Sequence, residues 1–407
     1  MKPVRMFNIW MLFPIILLLI VNAAKAQQIP VNDSALQDRV AALEQQVADV
    51  KPGESHFMVV GLATFGYVRS KSTFTPDGGP SQSSKTNSLG DADHYEISPM
   101  LLWRHGTKFL VEFEPSFTGS TIGVNWANIS YFAAPGLIVH AGYFVLPFGI
   151  YNKRLAAGWI DKLAIDPYGI QLPGTDFGIG ISGGLPLGNM KWSYDLSLTN
   201  GLQLLPDGSV EGVGLVDNNN NKTVTGRLAI LPFSNSSLEL GVSGLYGKVA
   251  DQVSIYNNAK ATMYGADLSY VKMFNPFLIN IKGQYNRMKV NAQNYIKPTD
   301  STGYSFDNKT SSSFAQVSLR PISLENKLLK NLELVFRYVN HSSPNNSITG
   351  QNYDEEDLGL DYWLTWRTVL KFTYTKSHSV STANVSAGGV GGVTDINNFY
   401  LQFSIQF

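Results

Sequence analysis

The last ten residues alternate without a miss: Phe399, Leu401, Phe403, Ile405 and Phe407 share one face, and Asn398, Tyr400, Gln402, Ser404 and Gln406 the other. A period of two is a strand with an apolar side and a polar side. Such a strand can cover a soluble core or face lipid. Ending on an aromatic residue, in a chain that opens with a secretory signal, this one is expected to face lipid as part of a transmembrane β-barrel.

Residues 1–26 carry Lys2 and Arg5, an apolar run from about Ile9 to Val21 and the small-x-small site Ala24-Lys25-Ala26. These are the three parts of a signal peptide, and cleavage is expected near Ala26. A membrane helix is the competing reading, but the run falls short of the roughly 20 residues needed to span. No later segment is longer, so insertion must use strands. The chain of 407 residues has a net charge of +0 and 15% charged residues, against roughly 25% in ordinary soluble domains. Neutrality gives no electrostatic reason to expect nucleic acid or an anionic membrane surface as partner. With no cysteine there are no disulfides, thiolate metal sites or thiol catalysis.

Between the signal and the barrel, residues 27–52 read as a short periplasmic coiled-coil helix. Leu36, Val40, Leu43, Val47 and Val50 step by four and three, the spacing of an oligomerisation seam. Ser34 and Gln37 form a capping box, and Pro52-Gly53 stops the helix. A helix on the barrel surface, a plug or a tether are the alternatives.

From residue 53 to 407 the chain divides into two-faced segments: 56–68, 93–105, 107–117, 121–131, 137–148, 176–187, 190–200, 222–233, 237–249, 261–274, 277–290, 312–321, 332–340, 357–366, 367–376 and 396–407. That is about 16 strands, an all-β antiparallel barrel of porin size. Short links alternate with long polar ones, the sorting expected of turns on one side of a membrane and loops on the other. Inward positions include Arg104, Lys108, Lys191, Arg227, Lys282, Arg320, Arg337, Arg367 and Lys371, and also Glu96, Glu112, Glu114, Asp195, Glu239, Asp267, Glu333 and Asp361. The signs nearly cancel and the interior should be wet. Trp103, Phe117, Phe148, Tyr246, Tyr338 and Tyr374 are candidates for the interfacial girdles.

The third long loop, 149–175, mixes Leu155, Ile160, Leu163, Ile165 and Leu172 with charges of both signs. That composition suits a loop folded against a wall. Folded inward, Lys153, Arg154, Asp161, Lys162 and Asp166 would constrict the lumen. Packing on the outer rim or at a subunit contact are the alternatives.

The run Ala141-Gly142-Tyr143-Phe144-Val145-Leu146-Pro147-Phe148-Gly149-Ile150-Tyr151-Asn152, followed by Arg154, resembles the end of the fifth strand in the phosphate-selective porin O and P family. The resemblance implies a trimeric 16-stranded outer-membrane channel whose third loop enters the lumen. The helix is similar in position to the N-terminal coiled coils of some sugar and dicarboxylate porins. Phosphate selectivity does not follow, because a phosphate channel would show a ladder of Arg and Lys with few acids. The expectation is passive diffusion of small hydrophilic solutes and ions. Its partners are the lipid bilayer and lipopolysaccharide outside, and the barrel-assembly machinery through Phe407, with no cofactor. A structural or adhesive barrel with an occluded lumen is the second reading.

Catalytic groupings are sparse. The histidines show no HExxH spacing, and none of them stands in a nucleophile-elbow GxSxG run. His341-Ser342-Ser343 and Ser377-His378-Ser379 fall in segments read as loops, and Asp354-Glu355-Glu356-Asp357 reads as a solvated acidic loop or a Ca²⁺ site.

Overall fold

The computed structural model describes residues 54–90, 95–119, 121–158, 160–212, 217, 221–250, 256–291 and 293–407. The expected signal peptide and the expected heptad helix lie outside the described residues.

Sixteen antiparallel strands close into a barrel. They are β1 (Ser55–Pro76), β2 (Tyr95–His105), β3 (Phe109–Thr118), β4 (Thr121–Ala134), β5 (Leu137–Val145), β6 (Thr175–Leu187), β7 (Met190–Thr199) and β8 (Thr223–Leu231). The second half comprises β9 (Leu238–Lys248), β10 (Lys260–Phe274), β11 (Phe277–Val290), β12 (Lys309–Arg320), β13 (Leu332–Ser342), β14 (Gln351–Thr365), β15 (Thr368–Ser381) and β16 (Gly392–Gln406). Every strand pairs with its sequence neighbours, and β16 returns to β1 in register from Leu62↔Gln406 to Pro76↔Gly392. At the seam Gly61 and Phe407 exchange backbone hydrogen bonds of 3.0 Å each way. Closure leaves no unpaired edge, the condition for strands in lipid.

The sequence period explains the inversion of the barrel. On β13, Leu334 and Phe336 are exposed while Val335 and Arg337 between them are buried; on β14, Leu358 and Leu360 alternate with Asp357 and Asp361 in the same way. Apolar side chains face out and polar ones in, which is stable only where the surroundings are apolar. Between β3 and β4 the ladder slips at Glu114/Pro115, a bulge where Pro115 has no N–H to give.

Several polar segments expected as loops are strands. Residues 69–76 complete β1 and pair with Gln82–Leu89, which continues above β2 as a hairpin. Asp354–Asp357 belongs to β14, with Glu355 and Asp357 facing inward and buried, so it is not a solvated acidic loop. His341 lies on β13 and His378 on β15. Phe148 is not a girdle residue; it is 2% exposed, inside a cluster with Leu202, Leu245, Tyr295 and Ala387. That cluster knits the long segments together, with Leu204 donating to the Val249 carbonyl at 2.6 Å and Asn308 to Gly208 at 2.7 Å. Arg367 sits in the tight β14–β15 turn over the Trp366 ring, outside the strand assigned to it.

Candidate functional site: the third loop and the inner wall

The connection between β5 and β6, residues 146–174, runs along the inner wall and is fastened to it strand after strand. It begins at Gly149, whose φ of +65° suits glycine and where a Cβ would lie 2.2 Å from the Gln284 amide. Gln284 of β11 needs that gap, because its Oε1 accepts the Ile150 and Tyr151 backbone N–H groups at 2.8 and 3.0 Å. Ser243 of β9 accepts the Gly149 N–H at 3.0 Å. A single π-helical turn, Tyr151–Leu155, follows. Ile150, Tyr151, Leu155 and Ile170 then pack with Phe314 of β12 and Val339 of β13, so the apolar residues of the loop have a core of their own.

The charged residues of the loop all find partners. Lys153 pairs with Asp195 of β7, and Arg154 with Glu239 of β9. Glu239 also receives Arg227 of β8 at 3.0 Å, and Arg227 in turn binds Asp267 of β10. Lys162 pairs with Glu333 of β13 at 2.8 Å and lies 4.9 Å from the Trp363 ring centre. The same Glu333 accepts from Trp363 Nε1 at 2.8 Å and Ser318 Oγ at 2.5 Å. Arg337 of β13, 0% exposed, donates to Asp357 at 2.7 Å and to the Ile165 carbonyl at 2.6 Å, with Asp161 4.0 Å away. Lys371 of β15 donates to the Leu163 carbonyl at 3.1 Å, and Thr373 accepts the Ala164 N–H at 3.1 Å. Gly359 makes room for Leu163, since a Cβ there would be 2.5 Å from Leu163 Cδ2. Gly158 comes up against Thr64 of β1 and Ser404 of β16.

Glu333, Arg337, Asp361 and Lys371 therefore face inward but lie roofed by the loop, at 2% exposure or less, instead of lining open water. Asp361 stands directly opposite both Glu333 and Lys371 on the neighbouring strands. Arg320 is drawn to the chain end of the barrel, donating to the Lys330 carbonyl at 3.1 Å beside the short helix Lys327–Lys330. Lys108 is exposed and shares a recess with Thr107, Phe132 and Ile138. Lys282 is half-buried on β11, within the field of Asp161 and Glu333 but in direct ion contact with no acid among the described residues.

On β2–β4 the inward groups hydrogen-bond among themselves. Glu96 accepts from Ser98, from Ser116 at 3.1 Å and from Asn125 at 3.0 Å; Asn125 also reaches Glu114 at 3.4 Å, and Asn128 donates to Glu112 at 3.3 Å. Among the described residues no cation pairs with Glu96, Glu112 or Glu114. Sequence alone could place all three inward, but not tell a paired carboxylate from an unpaired one.

Inside the loop, Tyr151 Oη lies 2.7 Å from Asp161 and 2.5 Å from Asp166, and Gln171 donates to Asp166. Burial, reinforced by the Asp161 charge, raises the Asp166 pKa above its ordinary 3.8, and burial also pushes the Tyr151 phenol well up. A carboxyl whose pKa is raised by docking holds its proton more tightly docked than released. Docking is then favoured at acid pH and weakens as pH climbs from 3.8 through the raised value. Asp166→Asn, uncharged throughout, should flatten this dependence: its unfolding midpoint in detergent should vary less than the parent's between about pH 4 and 7. Equal slopes would remove Asp166 from the role.

Neither His341 nor His378 stands in a hydrolytic arrangement. His341 is buried under Tyr168, its Nδ1 2.8 Å from Ser312 Oγ and its Nε2 3.0 Å from Ser343 Oγ; a Cβ on Gly169 would lie 2.2 Å from it, leaving no room for a substrate. His378 faces outward in a pair with Asp395 at 2.8 Å.

A closed 16-stranded antiparallel barrel with inward polar walls is the fold of the outer-membrane porins. Among solved structures it is similar to the outer-membrane channel DcaP of Acinetobacter baumannii, at 10% identity over 87% of this chain and 97% of that one, with a TM-score of 0.54. The anion-selective porin from Comamonas acidovorans matches at 14% identity, 87% and 100% coverage and a TM-score of 0.53. Salmonella typhi OmpF, in a complex with daunomycin, matches at 12% identity, 86% and 97% coverage and a TM-score of 0.50. No family model matches the sequence, and no curated protein does.

Proposed function

We propose that this chain is an outer-membrane porin passing small hydrophilic solutes and ions down their gradients, as a trimer held partly by the heptad helix at Leu36 to Val50. The observation that carries the reading is the fastening of the third loop to the inner wall, from β7 around to β1. A loop so held narrows the lumen and leaves passage against the β2–β4 wall. The likeness of residues 141–152 to the phosphate-selective porins supports the same placement, without their selectivity.

Along that passage the acids without a cation partner cluster on one wall, with Arg104 on the same strand as Glu96. Glu96, Glu112 and Glu114 stand on β2 and β3, and Lys282 on β11, eight strands around the ring from β3. Acids gathered on one wall, set against a far wall where both signs are paired, give an uneven field that orients polar solutes while the overall ion preference stays weak. The second reading, an occluded structural barrel, draws on the apolar cluster formed by the long loops.

Purified protein in a planar bilayer separates the two. Discrete open steps of reproducible size are expected; folded protein that inserts and stays silent refutes the channel.

A further inference from the structure

The outward face at the long-loop ends of β9–β12 carries a run of cations. Lys248 on β9 stands directly opposite Lys260 on β10, and Lys289 on β11 directly opposite Lys309 on β12. The two pairs adjoin, because Thr262, two residues beyond Lys260, is paired with Lys289. Arg287 lies on the same face, opposite Tyr264. Five cations thus occupy a patch about 15 Å wide, three strand spacings of about 4.8 Å.

Like charges directly opposite on antiparallel strands repel, so the patch is stable only with anions among them. Asp307 reaches Lys309; among the described residues no acid pairs with Lys248, Lys260 or Lys289. The other side of the barrel is compensated: Glu356 stands opposite Lys376, and His378 pairs with Asp395. A smaller group of the same kind, Arg69 with Lys71 opposite Lys85, stands on β1 and its hairpin. Just below the larger patch, Tyr246, Tyr264 and Tyr285 project outward at 54%, 51% and 40% exposure, and Leu240 and Val242 continue the apolar face beneath them. Tyrosines over an apolar band mark the headgroup level of a bilayer.

The geometry points to a binding site for the phosphates of an outer-leaflet glycolipid of the lipid A kind, seated among Lys248, Lys260, Arg287, Lys289 and Lys309, its acyl chains against Leu240 and Val242. Charge-assisted hydrogen bonds to phosphate oxygens satisfy the opposed lysines, and Arg287 adds a planar fork. A soluble anion would not need the apolar face below. The inference rests on the outer-membrane reading but not on an open lumen.

Binding of bisphosphorylated lipid A to the full chain in detergent, followed by native mass spectrometry, tests it. The variant K248Q/K260Q/R287Q/K289Q should bind at least about tenfold more weakly, and the parent should bind phosphate-free lipid A as weakly. The corresponding variant with arginine at the three lysines should keep its affinity, and single-channel conductance should not change. If the quadruple variant misfolds, as judged by heat-modifiable mobility, K248Q/K260Q alone should still lose several-fold. Undiminished binding by a folded variant, equal binding of phosphate-free lipid, or displacement by millimolar inorganic phosphate would each overturn the site. A silent bilayer with intact lipid A binding would count against the channel and leave this site standing.

Discussion

Replacing Arg337 with methionine is expected to destabilise the barrel more than any other single change in the lumen, by about 3–5 kcal/mol, because a buried charge pair loses one partner. Arg337 is wholly buried, binds Asp357, sits 4.0 Å from Asp161 and holds the Ile165 carbonyl. Without it Asp357 is left buried with no cation beside it, and the 161–166 stretch of the loop keeps only the Lys162–Glu333 pair as its link to β13. Two readouts should move together: the unfolding midpoint falls, and single-channel current becomes noisier and larger as the loop comes off the wall. Neutralising the stranded acid in R337M/D357N should recover part of the stability, since the two changes share one interaction. If R337M unfolds like the parent and conducts unchanged, the loop is not held by this arginine.

Converting Glu96, Glu112 and Glu114 to glutamine together should shift ion selectivity towards anions, raising the chloride-to-potassium permeability ratio by roughly three- to tenfold at low salt. The carboxylates accept hydrogen bonds from Ser98, Ser116, Asn125 and Asn128, and glutamine keeps an acceptor oxygen for each. Folding should therefore survive while the negative wall disappears. The effect should shrink as salt is raised, because screening shortens the reach of the wall charges. Reversal potentials in a salt gradient supply the ratio; a value that does not move would put the conducting path somewhere other than the β2–β4 wall.

All sixteen barrel strands are legible in the sequence, because each must show lipid an apolar face at every second residue. Leu334, Phe336, Leu358 and Leu360 report the outer face independently of any partner. What fails is the equation of polar with loop: residues 69–76, 351–356 and 377–381 are mostly polar and still extend β1, β14 and β15. Above the apolar band a strand is held by its ladder and needs no hydrophobic period. Phe148 misleads for the opposite reason, its sequence position fitting a girdle while its side chain turns into the cluster beneath the long loops.

The third loop divides in the same way. Its mixture of leucines, isoleucines and paired-sign charges is visible in the sequence and implies a surface to pack on. Which acid meets which base depends on strands far away in the chain: Lys153 with Asp195, Arg154 with Glu239, Lys162 with Glu333, and Arg337 with the carbonyl of Ile165. The sequence by itself determined the barrel, its strand number and the sides of its strands, because lipid imposes a period of two that is local to each segment. Only the closed tertiary structure decided which charges are covered, which are left facing the passage and which stand opposed on the outer rim, because those pairings follow from strand register and loop docking, and neither is written in any one stretch of residues.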